Sequence, residues 1–175
     1  MIHLDTSFLV RALAAGTFQD QRLREWLAAS ETIGMSAVAW AEFLCGPVEP
    51  TALELLDKVV TERAAFSEGE AMLAARLFNE SGRRRGSFAD CMIAAAAIRA
   101  SVPLATDNPK DFRRFAAAGL TLAPGVGEPE PPGGTGGLPG VLARETAAAY
   151  SKSRSARSKA SGSPPGRRVG GASRR

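Results

Sequence analysis

Ser87-Phe88-Ala89-Asp90-Cys91-Met92-Ile93, continuing through four alanines at 94–97 to Ile98, is the stretch that decides the fold. Its alanines make it a strong helix former, and nearly every side chain is apolar. Ser87 is placed to cap the helix, and Gly86 lets the chain turn into it. A helix with so little polar surface belongs in the interior of a domain. Asp90 is its one acid. The helix dipole favours a carboxylate in the first turn, so Asp90 reads as a capping acid or as an acid held at the mouth of a polar pocket.

The same arrangement recurs elsewhere in the chain. Residues 1–4 form a short apolar run that stops at Asp5-Thr6-Ser7. An acid and two hydroxyls at the end of a buried strand lie where open α/β sheets place their ligands. Thr6 or Ser7 could equally cap a first helix over residues 8–15, closed by Gly16. A second amphipathic helix is expected over 19–30, with Leu23, Trp26 and Leu27 on one face. Residues 32–35 read as a second strand, and Ser36 as the cap of a helix over 37–44 that Gly46-Pro47 ends. Glu42 sits in that helix among Val38, Ala39, Trp40, Ala41, Phe43 and Leu44. A charge in such company is costly to bury unless it is paired or bound to a cation; facing water is the alternative.

Further along, a helix over 50–60, a strand near 64–66 and a helix over 68–81 are expected. Ser67 would cap the last of these, Met72, Leu73, Ala75 and Leu77 would form its apolar face, and Gly82 would stop it. Arg83-Arg84-Arg85 then leads into the central helix, either as a solvated turn or as a lure for a polyanion. A fourth strand over 102–105 runs into Thr106-Asp107-Asn108-Pro109-Lys110-Asp111-Phe112, a second polar strand end. A small helix over 112–117 and a short strand over 120–122 complete the body. Alternating strands and helices imply an α/β fold with a mainly parallel sheet.

Charge and composition divide the chain. Residues 125–175 carry nine Lys/Arg against three Asp/Glu, leaving 1–124 with thirteen basic and fifteen acidic residues. The basic character of the whole chain therefore belongs to its end. That segment also holds eleven of eighteen glycines, six of eleven prolines, and Tyr150 as its one aromatic. Such a composition cannot bury enough apolar surface to offset the entropy of ordering it. Disorder is expected there, with a transient helix over 142–150, and the body is assigned to 1–124. Cys45 and Cys91 read as small buried hydrophobes. No basic region and apolar core resembling a secretory signal opens the chain. No apolar run approaches the roughly 20 residues that span a bilayer. A cytoplasmic protein is expected, with no membrane partner.

Asp5, Glu42, Asp90 and one or both of Asp107 and Asp111 thus fall at strand ends or on buried helices, where they can converge on one crevice. Carboxylates gathered so closely repel, and a divalent cation relieves the conflict. Oxygen donors alone point to Mg²⁺ or Mn²⁺ rather than zinc. Metal-assisted phosphodiester hydrolysis suits such a site. His3, the one histidine, argues against acid–base catalysis by paired imidazoles.

These residues resemble a family. Ile2-His3-Leu4-Asp5-Thr6-Ser7, Glu42 in an apolar helix, Asp90-Cys91-Met92-Ile93-Ala94-Ala95, and Leu104 to Phe112 are similar to the motifs of PIN domains, most closely the VapC toxins with their FitB-like members. The resemblance covers residues 1–124. It implies a three-layer α/β sandwich, a homodimer, Mg²⁺- or Mn²⁺-dependent cleavage of RNA, and inhibition by a cognate antitoxin. It implies that Asp5, Glu42 and Asp90 are the core catalytic acids and metal ligands. Thr6 or Ser7 and Thr106 would support them, and Asp107, Asn108 or Asp111 would supply the fourth polar position. Arg83, Arg84 and Arg85 could touch RNA. A catalytically silent PIN-like module that binds RNA or protein is the alternative. An aspartyl phosphatase would want a second acid where Ser7 stands, and no glycine-rich loop follows Leu4 to bind a nucleotide.

Overall fold

The computed structural model describes residues 1–83 and 87–124. The expectations for Arg84, Arg85, Gly86 and residues 125–175 fall outside the described residues.

The chain alternates strand and helix from its first residues. β1 (Ile2–Leu4) leads into α1 (Thr6–Ala12) and α2 (Phe18–Ala28). β2 (Ile33–Ser36) follows, then α3 (Ala37–Leu44), α4 (Pro50–Val59), β3 (Glu62–Ala64) and α5 (Glu68–Glu80). α6 (Phe88–Ala100), β4 (Leu104–Ala105), α7 (Pro109–Phe112) and a 3-10 turn (Arg113–Ala118) end the described chain. The four strands form one parallel sheet in the order β3-β2-β1-β4, with Leu4 opposite both Met35 and Ala105. Helices flank it, giving the α/β sandwich expected. The strand order bears on function. The chain steps outward from β1 through β2 to β3, then returns to the other side of β1. The reversal lies between β1 and β4, and crevices at such a reversal, beyond the strands' carboxyl ends, are where open parallel sheets bind ligands.

α6 is central, as its sequence requires. Cys91 and Ile93 to Ala97 are all buried. Its alanine side chains let α5 pack along it, burying Ala74 and Leu77 of α5. Ser67 and Glu70 close a capping box at the start of α5. The Ser67 hydroxyl, with Arg99 beside it, draws the Glu70 carboxyl down to about 2. The remaining core includes Leu4, Ile33 and Met35 of β1 and β2 together with Phe8, which stacks on Trp26 at 5.4 Å.

Several local expectations need correction. Thr6 and Ser7 are not caps: they open α1, and Asp5 takes the N-cap position. Met72 and Ala75 face outward, because the buried side of α5 runs through Ala74 and Leu77. Leu27 is exposed while Leu23 and Trp26 are buried. Cys45 lies exposed at the end of α3, unlike Cys91. β3 falls two residues earlier than expected, and the segment at 120–122 makes one bridge, Leu122 to Leu104, rather than a strand. The small helix starts at Pro109, which suits a first-turn position, and gives way to the 3-10 turn.

His3 is buried at the middle of β1, against the backbone of β2. A Cβ on Gly34 would stand 2.9 Å from the His3 ring, so glycine is required there for close strand approach. Burial, and then the nearby amino terminus, hold the imidazole below its ordinary 6.5. The unfolded chain therefore takes a proton at a higher pH than the folded one. Stability is complete above pH 6.5 and falls as pH drops through 6.5 toward the folded pKa. Urea denaturation of His3→Gln between pH 6.5 and about 5 is expected to give a flatter pH dependence than wild type. Equal slopes would contradict it.

Candidate active site

Asp5 leaves the end of β1 directly beside the end of β4, where its backbone N–H donates to Ala105 O at 2.8 Å. The carboxylate is buried, with 4 % of the residue exposed, so its polar contacts must come from the protein. Two hydroxyls supply them. Ser7 Oγ donates to Asp5 Oδ2 at 2.5 Å and Thr106 Oγ1 donates to the same oxygen at 2.8 Å. The two hydroxyl oxygens are 3.3 Å apart.

Their orientation is set by the backbone after β4. The Asp107 N–H donates to Ser7 Oγ and the Asn108 N–H to Thr106 Oγ1, both at 3.0 Å. Each hydroxyl therefore accepts from a main-chain amide and turns its own proton toward Asp5. Thr6 points elsewhere. Its buried hydroxyl donates to Ala39 O at 3.0 Å and ties α1 to α3. Of the two hydroxyls after the first acid, Ser7 is the one that serves the site.

The other acids lie on α3, α6, α7 and the loop after β4. Glu42 is half-buried on α3, which packs against both α1 and α6. Asp90, in the first turn of α6, has Arg114 Nη2 at 3.6 Å from Oδ2. Arg114 also lies over the Phe115 ring at 4.6 Å, and its guanidinium nitrogens have no hydrogen-bond partner. Asp107 turns its carboxylate toward α1 and α2: Gln19 Nε2 donates to Oδ1 at 2.5 Å, and Arg11 Nε is 3.5 Å from Oδ2. Asp111 is half-buried on α7, and Arg83 is exposed beyond α5, donating to Asn79. Burial raises the Cys91 thiol above its ordinary value, which keeps it protonated and unsuited to nucleophilic attack.

The structure thus joins Asp5, Ser7, Thr106 and the amides of Asp107 and Asn108 into one network. Among the described residues, no three His, Cys, Asp or Glu side chains stand together as a ready-made metal cage. The donors that are present are all oxygens, the kind that suits a hard divalent cation. Gln19, Arg11 and Arg114 were not legible as members of this neighbourhood. Their partners lie far away in sequence, and a polar residue on an amphipathic helix carries no mark of such a contact.

No curated protein matches the sequence. Among solved structures, the fold is similar to VapBC2 from Rickettsia felis bound to a DNA fragment from its promoter. The TM-score is 0.56 at 25 % identity, over 70 % of this chain and 98 % of that one. FitAcB from Neisseria gonorrhoeae shares the fold with a TM-score of 0.51 at 24 % identity, over 71 % of this chain and 98 % of the other. VapC20 from Mycobacterium tuberculosis, a toxin that cleaves the sarcin–ricin loop, does so at 0.52 and 18 %, over 70 % and 98 %. The PIN domain pattern spans residues 2–118, from β1 through the 3-10 turn, and takes in every acid of the candidate site. With the buried acid at the sheet's reversal point and the pattern running the length of the folded body, the chain belongs to the PIN domain family.

Proposed function

We propose that the chain is an Mg²⁺- or Mn²⁺-dependent endoribonuclease, the toxin of a toxin–antitoxin pair, which acts as a cytoplasmic homodimer and is inhibited by a cognate antitoxin. The observation that carries this reading is the buried Asp5 carboxylate, held by Ser7 and Thr106 where the sheet order reverses between β1 and β4. The cleavage of the sarcin–ricin loop by VapC20, and the VapBC and FitAB assemblies among the similar folds, favour an RNA substrate and an antitoxin partner.

In this reading Asp5, Glu42 and Asp90 hold the cation, and Asp107, Asn108 or Asp111 adds a further polar group. A divalent ion would supply positive charge at the scissile phosphate and a bound water of lowered pKa. The protein's part is to hold the donors. Ser7 and Thr106 fix one Asp5 oxygen, which keeps the carboxylate from swinging when substrate arrives. Arg114 places a cation beside Asp90, offsetting the repulsion among the acids before any metal enters. Arg83, Arg84 and Arg85 attract the RNA backbone by charge alone, which makes binding salt-dependent.

Incubation of purified protein with a structured RNA tests the reading. Cleavage is expected with Mg²⁺ or Mn²⁺, and loss of at least about 100-fold in rate on chelation by EDTA. Restoring the ion should restore the rate. Cleavage undiminished by EDTA would overturn the metal assignment. RNA binding without cleavage under any metal would favour the silent module instead.

A further inference from the structure

The contacts around Asp107 carry an inference about two residues that are not themselves among the proposed cation ligands. Gln19 is 7 % exposed on α2, yet its amide reaches across to the loop after β4 and donates to Asp107 Oδ1. Its own Oε1 is buried without a hydrogen-bond partner. A buried amide with an orphaned carbonyl is costly to keep, and a leucine would fill that space without the penalty. Arg11 approaches the other Asp107 oxygen from α1. Both contacts grip the same short loop whose two amides orient the hydroxyls on Asp5.

We propose that Gln19 and Arg11 are positioning residues that act through the Asp107 carboxylate: they pin the 106–108 loop so that Ser7 and Thr106 present their protons to Asp5. The chain of causes is continuous. Gln19 and Arg11 hold the Asp107 side chain, the Asp107 and Asn108 amides hold the hydroxyls, and the hydroxyls hold the acid. Release of the first link lets the loop lift away. The hydroxyls then rotate freely, and Asp5 loses its fixed orientation. This gives Asp107 a role that needs no contact with a cation, and it distinguishes Asp107 from Asp111 within the same polar stretch. The proposal rests on the nuclease reading for its purpose, but the loop's anchoring does not need a metal to be measured.

Amide hydrogen exchange in the metal-free full chain tests it, comparing wild type with Gln19→Leu, Arg11→Met and Asp107→Ala. In Gln19→Leu and Asp107→Ala the amides of Asp107 and Asn108 should exchange at least tenfold faster, and in Arg11→Met several-fold faster. The amide of Ala95, deep in α6, should stay within twofold of wild type. Mn²⁺ affinity measured by calorimetry should fall several-fold in Gln19→Leu and Arg11→Met, neither of which alters a proposed cation ligand. Wild-type exchange at Asp107 and Asn108 in Gln19→Leu would overturn the proposal. So would an equal acceleration at Ala95, which would mark a general loss of stability, or wild-type loop amides that exchange as fast as an unfolded peptide. If the wild type binds no Mn²⁺ while the loop amides still respond as expected, the metal reading fails and the brace stands.

Discussion

Asp5→Asn is expected to lower metal-dependent RNA cleavage by about a hundred- to a thousand-fold while leaving the protein folded. The substitution keeps the shape of the side chain and one carbonyl oxygen that can accept from Ser7 and Thr106. What it removes is the negative charge, the property the proposed cation would use at this position. In the proposed site, removing that charge also removes its repulsion on the other acids, so stability should be unchanged or slightly higher. A shift of the melting midpoint smaller than about 4 °C is the expected reading, equivalent to roughly 1 kcal/mol for a domain of this size. Cleavage at the wild-type rate would remove Asp5 from the mechanism. Collapse of the fold would show that the charge serves the architecture, in which case Asp5 is a structural N-cap for α1 and little more.

The contrast between what could be read and what could not is clearest at this same strand end. Asp5 and Thr106 are visible in the sequence because each interrupts an apolar run abruptly, and such a break in a buried parallel strand has few harmless explanations. The central helix is visible because it lacks a polar face, and 91–97 are indeed almost wholly buried. By contrast, the division of labour between Thr6 and Ser7 is settled by the turn of about 100° between neighbours on α1, which sends one hydroxyl to Ala39 and the other to Asp5. Composition alone treats the two as equivalent. In α5 the abundance of alanine blurs the helical period, so Met72 and Ala75 look as inward as Ala74. Cys45 follows the last turn of an apolar helix and looks buried for that reason, but the helix has already reached the surface. The Asp107 contacts join residues 88 and 96 positions apart, and no local pattern could have announced them.

Consecutive residues on α3 should respond in opposite ways, and Phe43→Ala is expected to have the larger effect on stability. Phe43 is 1 % exposed and stacks on Trp40 with 5.6 Å between ring centres. It lies one turn beyond Ala39, which is fully buried and whose carbonyl accepts from Thr6. Those two positions form the stripe that seats α3 on the core. Truncating the ring removes its burial and leaves a cavity, a loss of about 3–5 kcal/mol. Against the roughly 5–15 kcal/mol that typically holds a domain together, this is a fall of roughly 10–20 °C in the melting midpoint. Glu42 stands beside Phe43 but about 100° around the helix, half-buried on the flank of that stripe. Glu42→Gln preserves volume and hydrogen-bonding capacity, so the melting midpoint should move by less than about 4 °C. Cleavage should nevertheless fall by about 100-fold, since the carboxylate charge is what the proposed cation would use. Thermal melts and initial cleavage rates measured on both variants separate the two roles. If Glu42→Gln melts as low as Phe43→Ala, the acid belongs to the packing of α3. If it cleaves as fast as wild type, Asp5 and Asp90 must bind the cation without it.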